Sequence, residues 1–154
     1  MIKALVFDMD GTIADFYGVE NWLSDIRSEN PAPYLNAEPL FDMITLVSLL
    51  ERARELGIKV IIDTWLAKDS SEEFKTETRK AKRDWLNKYN FPYDNFHGIQ
   101  YGRTKADAIR NYISEEAILF DDNEQVRKGW TLGRTVDPTK EDIISVIENL
   151  LKGK

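Results

Sequence analysis

Two aspartates spaced two residues apart follow a short apolar run near the start of the chain. The run occupies residues 4–7, and Asp8 and Asp10 are followed directly by Gly11 and Thr12. Because side chains alternate along a strand, both carboxylates can point to the same side as the chain leaves it. Gly11 permits a tight turn that brings backbone N–H groups to the same place. Carboxylates beside amide donors suit a hard cation and a phosphate, and this combination predicts phosphoryl transfer. The alternative interpretation is an acidic corner between strand and loop that faces water.

A second apolar run, at residues 117–120, also ends in two acids, Asp121 and Asp122. Mg²⁺ takes oxygen ligands and keeps several of its waters, so a few carboxylates and a phosphate are enough to hold it. We therefore expect the tip of the first strand and the tip of this strand to lie side by side, with their acids sharing one divalent ion.

The elements that must position these acids alternate between apolar runs of strand length and amphipathic helical stretches. This is the pattern of a mainly parallel α/β sheet, in which ligands bind at the carboxyl ends of the strands. The length of 154 residues predicts one domain, 1–154. Predicted strands cover about 3–8, 58–62, 97–101, 118–120 and 134–136, and predicted helices cover about 18–28, 40–56, 72–89, 106–112, 123–130 and 140–151.

The charge and composition exclude several classes of function. A net charge of −6 argues against a general nucleic-acid or anionic-membrane binder, either of which needs a basic face. Lysines and arginines cluster between Lys75 and Lys88, as a local basic patch or as a solvated helix face. The absence of cysteine excludes disulfides and thiolate metal sites and fits a cytoplasmic location. Since His97 is the single histidine, His-rich metal sites and Ser-His-Asp catalysis are excluded, and we expect His97 to be a surface or satisfied residue.

The Asp-x-Asp-Gly-Thr pattern at the end of the first strand resembles motif I of the haloacid dehalogenase (HAD) superfamily. The resemblance implies that Asp8 is the nucleophile that takes the phosphoryl group. It implies that Asp10 is the acid that protonates the leaving oxygen and later activates water. Because the superfamily's dehalogenases lack the second aspartate, Asp10 points to a phosphatase or a phosphomutase.

Motifs II and III of the superfamily have counterparts in the same order along the chain. Thr64, at a predicted strand end, matches the motif II hydroxyl that hydrogen-bonds the transferring phosphoryl group, and Asp63 is a competing polar residue in that corner. Lys105 matches the motif III lysine, which neutralises the nucleophile and the phosphate oxygens, and Arg103 is its nearest rival.

Asp121 and Asp122 match motif IV, whose acids hold Mg²⁺ together with Asp8 and the backbone carbonyl of Asp10. Asp122 aligns with the metal ligand in the commoner, Gly-Asp form of the motif. Asp121 either binds the metal itself or has an orienting role. The resemblance thus implies a Mg²⁺-dependent HAD-type phosphoric monoester hydrolase with a Rossmann-like three-layer α/β/α fold.

In the superfamily a cap over the active site grows directly after motif I. Residues 13–39, in which three prolines exclude a long helix, are therefore a minimal cap or a packed connecting loop. The first strand and this short insertion look similar to the compact 5′(3′)-deoxyribonucleotidase-like branch. We expect a small phosphorylated substrate, such as a nucleotide, and no membrane partner. The predicted substrate contacts are Gly11, Thr12, Trp65 and Arg103, and the aromatic residues that either line a base pocket or pack in the core are Phe16, Tyr17, Trp22 and Trp65.

Other readings compete with a small-molecule phosphatase. A response-regulator receiver has its acid pair after the first strand and its phosphoacceptor after the third, which is the reverse of the order found here. A phosphomutase must exclude water with a large cap, for which this chain has little material. A non-catalytic phosphate-binding or scaffold protein on the same fold is opposed by the intact acids. A nucleic-acid-end phosphatase fits a small cap but is opposed by the acidic charge.

Overall fold

A five-stranded parallel sheet forms the centre of the protein. The computed structural model describes residues 1–114 and 116–154. The strands are β1 (Ala4–Phe7), β2 (Ala14–Asp15), β3 (Glu38–Pro39), β4 (Lys59–Trp65), β5 (Asn95–Ile99), β6 (Ala117–Phe120) and β7 (Gly133–Val136). The helices are α1 (Trp22–Arg27), α2 (Ala32–Asn36), α3 (Met43–Glu55), α4 (Glu72–Lys88), α5 (Lys105–Ile109), α6 (Glu124–Lys128) and α7 (Ile143–Leu151). The sheet order is β5-β4-β1-β6-β7, so β1 lies in the middle.

Helices cover both faces of this sheet because its central strands β1 and β6 are apolar on both sides. Leu5 and Phe7 of β1 pack in a core with residues of α3, α4 and α7, whereas Ala4 and Val6 pack with residues of α5 and α6. The rings of Phe7 and Phe120 stack with centroids 4.7 Å apart, which joins the two strands whose ends carry the acids. The predicted three-layer α/β/α architecture is confirmed.

Some elements begin or end at other residues than the sequence predicts. Helix α3 begins at Met43 rather than Leu40, because the Asp42 side chain accepts a hydrogen bond from the Thr45 amide and caps the helix there. Strand β4 continues to Trp65, three residues beyond the predicted end, because it pairs with β5 over that whole length. Among the described residues, no helix is both long and apolar enough to cross a bilayer.

The segment 13–39 begins and ends at one place, in a small two-stranded sheet that is separate from the central one. Its ends, β2 and β3, pair in antiparallel fashion, and α1 is shorter than the predicted helix at 18–28. Phe16 and Tyr34 stack with centroids 4.7 Å apart and bury against Phe74 and Ala81 of α4. The segment is therefore packed on α4, and its action as a cap stays a prediction.

Candidate active site

The acids that follow β1 and β6 lie next to each other at one edge of the sheet. The two strands pair in parallel with Phe7 opposite Phe120, so Asp8 and Asp121 directly follow paired residues. Among the described residues, Asp8, Asp121 and Asp122 each offer a carboxylate oxygen, and these oxygens lie within 4.8 Å of one another. The expected placement of the two strand tips side by side is confirmed.

The charges of this acid cluster suit a divalent cation. Burial, followed by repulsion from Asp8, raises the pKa of Asp121 and of Asp122 above the usual aspartate range. Carboxylates this close together favour a proton or a cation between them. Because carboxylate oxygens are the ligands that hard divalent ions prefer, the residues present fit a metal such as Mg²⁺.

Lys105, the first residue of α5, supplies a buried positive charge to the acid cluster. Its side chain is 3% exposed, and its Nζ donates to Asp8 Oδ1 at 2.9 Å and to Asp121 Oδ2 at 2.6 Å. Burial acts to lower the pKa of Lys105, but the two carboxylates outweigh this effect, and the pKa is raised. Of the two cations weighed for motif III, Lys105 lies at the acids, whereas Arg103 is exposed.

The turn after β1 contacts the acids through the Thr12 hydroxyl and through the close approach of Gly11. The Thr12 hydroxyl is 2.9 Å from Asp8 Oδ2 and 3.3 Å from Asp122 Oδ1, and a Cβ on Gly11, which has a φ of +80°, would lie 2.4 Å from Asp122 Oδ2. The amides of Gly11 and Thr12 are engaged within the turn, and Gly11 and Thr12 as substrate contacts stay a prediction. Their N–H groups donate to the carbonyl oxygens of Ala14 and Met9 to close the turn itself.

Asp10 and Asp8 both line a cavity at this edge of the sheet, but Asp10 contacts a different lysine. Strand β1 ends at Phe7, so strand alternation no longer sets the direction of Asp10, and its Oδ2 accepts from Lys82 Nζ at 3.1 Å. Burial raises the pKa of Asp10, although the Lys82 charge opposes this. A raised pKa suits a group that must give up a proton near neutral pH. The backbone carbonyl of Asp10 as a metal ligand stays a prediction.

Thr64 and Lys82 form a second buried contact at this edge of the sheet. Thr64 Oγ1 accepts from Lys82 Nζ at 2.7 Å, and the carbonyl oxygen of Trp65 accepts from the same nitrogen at 3.0 Å. Sequence reasoning assigned no role to Lys82. A signal was present, since Lys82 falls on the buried face of α4 between Phe74 and Trp85, where helical spacing places an apolar residue.

Asp63 points to the opposite face of β4 from Thr64. It is fully buried, and neither of its carboxylate oxygens has a hydrogen-bond partner among the described residues. Burial raises the pKa of Asp63 to about 8. Asp63 is therefore largely protonated at neutral pH and does not compete with Thr64 for a phosphate.

We expect the free energy of unfolding of Asp63→Asn to increase relative to that of the natural chain as the pH rises from about 4 to 8. The unfolded chain ionises Asp63 near pH 4 and the folded chain near pH 8, so folding loses about 1.4 kcal/mol per pH unit between these values. The neutral amide removes this loss. Urea unfolding at several pH values measures the difference, with exposed Asp84→Asn as the control for loss of a charge. A constant difference across the range would contradict the assignment.

A cavity of about 720 Å³ opens beside the acids. Arg27 and Lys68 add cationic side chains to its wall. Trp65 lines the cavity as predicted, whereas Arg103 does not: the Arg103 side chain is exposed, and its carbonyl oxygen accepts from Trp65 Nε1 at 2.8 Å. Arg103 thus supports Trp65 through its backbone. The aromatic residues that line the cavity are Phe16, Tyr17, Trp22, Tyr34, Trp65 and Tyr101.

His97, on β5, is a satisfied residue outside this cavity. Its Nε2 lies 2.6 Å from the Tyr112 hydroxyl, and the two rings stack with centroids 5.9 Å apart. Burial lowers the pKa of His97, which keeps the ring neutral. This agrees with the expectation from the sequence.

Comparison with known proteins finds similarity in structure rather than in sequence. No family model and no curated protein sequence matches the chain. The N-terminal part of protein BF1531 from Bacteroides fragilis, which contains a phosphatase domain complexed with Mg, is similar with a TM-score of 0.57 and 16% identity. The match covers 97% of this chain and 40% of that one.

Two further solved structures share the fold. A Mesorhizobium loti protein described as a HAD-like phosphatase has a TM-score of 0.57 and 13% identity, over 97% of this chain and 87% of that one. A chain of the Pnkp1/Rnl/Hen1 RNA repair complex has a TM-score of 0.56 and 20% identity, over 88% of this chain and 42% of its own length. The chain thus spans about two fifths of two of these proteins. At these identities the likeness establishes a common fold.

Proposed function

We propose that this chain, which has the fold of the HAD-superfamily phosphatases, is a Mg²⁺-dependent phosphatase that hydrolyses a phosphate monoester through a phosphorylated Asp8. One contact set carries the proposal. Three carboxylates have oxygens within 4.8 Å of one another, and the buried Lys105 donates to two of these groups, Asp8 and Asp121. A nucleophilic carboxylate, a cation site and a fixed positive charge are the parts that phosphoryl transfer to an acid requires.

The residues of the chain divide the reaction between them. An oxygen of Asp8 forms a bond to phosphorus while the bond to the ester oxygen breaks, and the electron pair stays on that oxygen. Asp10 gives the departing oxygen a proton and then takes one from the water that hydrolyses the phosphorylated Asp8. Lys105 and the Thr64 hydroxyl hold the phosphate oxygens during both steps.

The three acids have different roles in the proposed metal site. Asp121 is 1% exposed and accepts from Lys105 through Oδ2 and from the Asn123 amide through Oδ1, which favours an orienting role. The more exposed Asp8 and Asp122 would then be the direct carboxylate ligands, together with the Asp10 carbonyl. When bound, Mg²⁺ supplies positive charge that lets the Asp8 carboxylate approach a phosphate.

The substrate that we propose is a small phosphate ester, with nucleotides first. A cavity of about 720 Å³ falls within the range that holds one small molecule. Aromatic side chains enter it from both the 13–39 segment and the β4 end, for instance Trp22 and Trp65, and such rings stack on bases. Nucleotides are cytoplasmic metabolites, and the cytoplasm is where we place this cysteine-free chain.

The test is release of phosphate from a panel of nucleoside 3′- and 5′-monophosphates and sugar phosphates. We expect hydrolysis with Mg²⁺, loss to background with EDTA, and recovery when Mg²⁺ is restored in excess. Mg²⁺ should also raise the melting temperature of the natural chain, because binding to the folded acids alone stabilises that state. Absence of Mg²⁺-dependent release from every ester would favour the non-catalytic alternative.

A second candidate is a phosphatase that acts on nucleic-acid ends. The observation that favours it is the structural likeness to a chain of an RNA repair complex. The net charge of −6 opposes it, because a nucleic-acid strand is attracted by positive charge. A 3′-phosphorylated oligonucleotide in the same panel separates the two: a kcat/KM at least 10-fold above that of the matching mononucleotide would select nucleic-acid ends.

A further inference from the structure

The buried cation Lys82 is outside the set of residues that the HAD resemblance implied. Its side chain is 1% exposed, whereas Lys80, two residues earlier on α4, is 74% exposed. Lys82 also lies 5.0 Å above the ring of Tyr34 from the 13–39 segment. A lysine is rarely buried to this extent unless paired, so its partners indicate its role.

The partners of Lys82 use every hydrogen of its ammonium group. An ammonium has three donors, and they go to Asp10 Oδ2 at 3.1 Å, Thr64 Oγ1 at 2.7 Å and the Trp65 carbonyl at 3.0 Å. Lys82 therefore cannot bind a phosphate oxygen without losing one of these contacts. Lys105, in contrast, has two carboxylate partners and a third hydrogen to offer a phosphate.

The contacts of Lys82 determine which atoms of Asp10 and Thr64 can interact with a substrate. Because Thr64 Oγ1 accepts from Lys82, the hydroxyl hydrogen of Thr64 can be donated elsewhere. Because Asp10 Oδ2 is held, Asp10 Oδ1 is the oxygen that can carry a proton to the ester oxygen. The two lysines reach the site from opposite layers of the fold, Lys105 from α5 to Asp8 and Lys82 from α4 to Asp10.

We propose that Lys82 is a positioning residue for proton transfer to the leaving group, acting through Asp10 and Thr64 rather than on the substrate. The proposal rests on the proposed phosphatase function. In the step that Lys82 serves, the bond between phosphorus and the ester oxygen breaks as Asp8 attacks. The ester oxygen keeps the electron pair and takes the proton from Asp10 Oδ1, so atoms and charge balance.

Leaving-group dependence tests this role, because an ester with a good leaving group needs little protonation. Release of phenol and of 2,4-dinitrophenol from their phosphates is followed in single turnovers, with enzyme in excess and Mg²⁺ present. Lys82→Met should slow the phenyl ester about 100-fold, as for loss of general-acid help, and the dinitrophenyl ester less than 10-fold. Exposed Lys80→Met is the matched control and should change neither rate. Equal slowing of both esters, or of neither, overturns the proposal.

A cycle with Asp10→Asn tests whether Lys82 acts through Asp10. If it does, adding Lys82→Met to Asp10→Asn slows the phenyl ester little further, because residues that act as a unit are not additive. A full additional loss overturns the proposal. If Lys82→Met does not fold, Lys82→Arg retains the buried positive charge, but its planar guanidinium cannot reproduce the three contacts of the ammonium, so it should still slow the phenyl ester more than the dinitrophenyl ester. If the natural chain hydrolyses neither ester and no member of the panel, the proposed phosphatase function is wrong. If the natural chain is active and Lys82→Met slows both esters equally, only the role of Lys82 is wrong.

Discussion

Asp8→Asn is expected to abolish turnover while the fold stays intact. An amide oxygen is a poor nucleophile, so no phosphorylated residue 8 forms, and we expect kcat to fall at least about 10³-fold. The free energy of unfolding should change little, because relief of the repulsion among three close carboxylates offsets the loss of one carboxylate partner of Lys105. Steady-state hydrolysis of the best ester of the panel measures the effect.

The control for Asp8→Asn is exposed Asp84→Asn, which should retain full activity. Thermal melting in EDTA should give both variants a midpoint within about 4 °C of the natural chain, which corresponds to 1–2 kcal/mol in a domain of this size. Acid quenching with ³²P-labelled substrate should trap label on the natural chain and none on Asp8→Asn. Normal turnover by Asp8→Asn would remove the assignment of the nucleophile and the proposed function with it.

Lys105→Met should lower both activity and stability, because it removes a buried charge that two carboxylates share. Asp8 and Asp121 would remain buried without their cation, and such a broken pair typically costs about 3–5 kcal/mol. Loss of the same charge beside the phosphate should lower kcat about 10²–10³-fold. Urea unfolding in EDTA and kcat with saturating Mg²⁺ measure the two effects.

Added Mg²⁺ separates a charge effect from a packing effect in Lys105→Met. If the acids bind a divalent ion, Mg²⁺ should stabilise Lys105→Met more than it stabilises the natural chain, since it replaces the missing positive charge. Lys80→Met removes an exposed lysine whose pair with Asp84 is at the surface, so it should cost less than 1 kcal/mol. A Lys105→Met protein as stable and as active as the natural chain would show that Lys105 neutralises nothing at this site.

The sequence by itself determined the sheet and the positions of the acids along it. Apolar runs that end in Asp8 and in Asp121 became paired strands β1 and β6, because a strand covered on both faces must be apolar throughout. The end of α3 is a local pattern of the same kind, because Gly57 follows it with a φ of +83°, which a helix C-terminus of this kind requires. These are local patterns, and local patterns can be read from one chain.

Only the tertiary structure decided that Lys82 serves Asp10, whereas the role of Lys105 beside Asp8 was implied by the family resemblance and by no local pattern. Lys82 is 72 residues from Asp10, and Lys105 is 97 residues from Asp8, so no local pattern links them. The choice of Lys105 over Arg103 depends on where α5 begins against β4 and β6. The burial of Asp63 without a partner depends on how far β4 continues beside β5. Partners are set by the packing of helices over strand ends, whereas the chemistry of each acid was already present in its residue type.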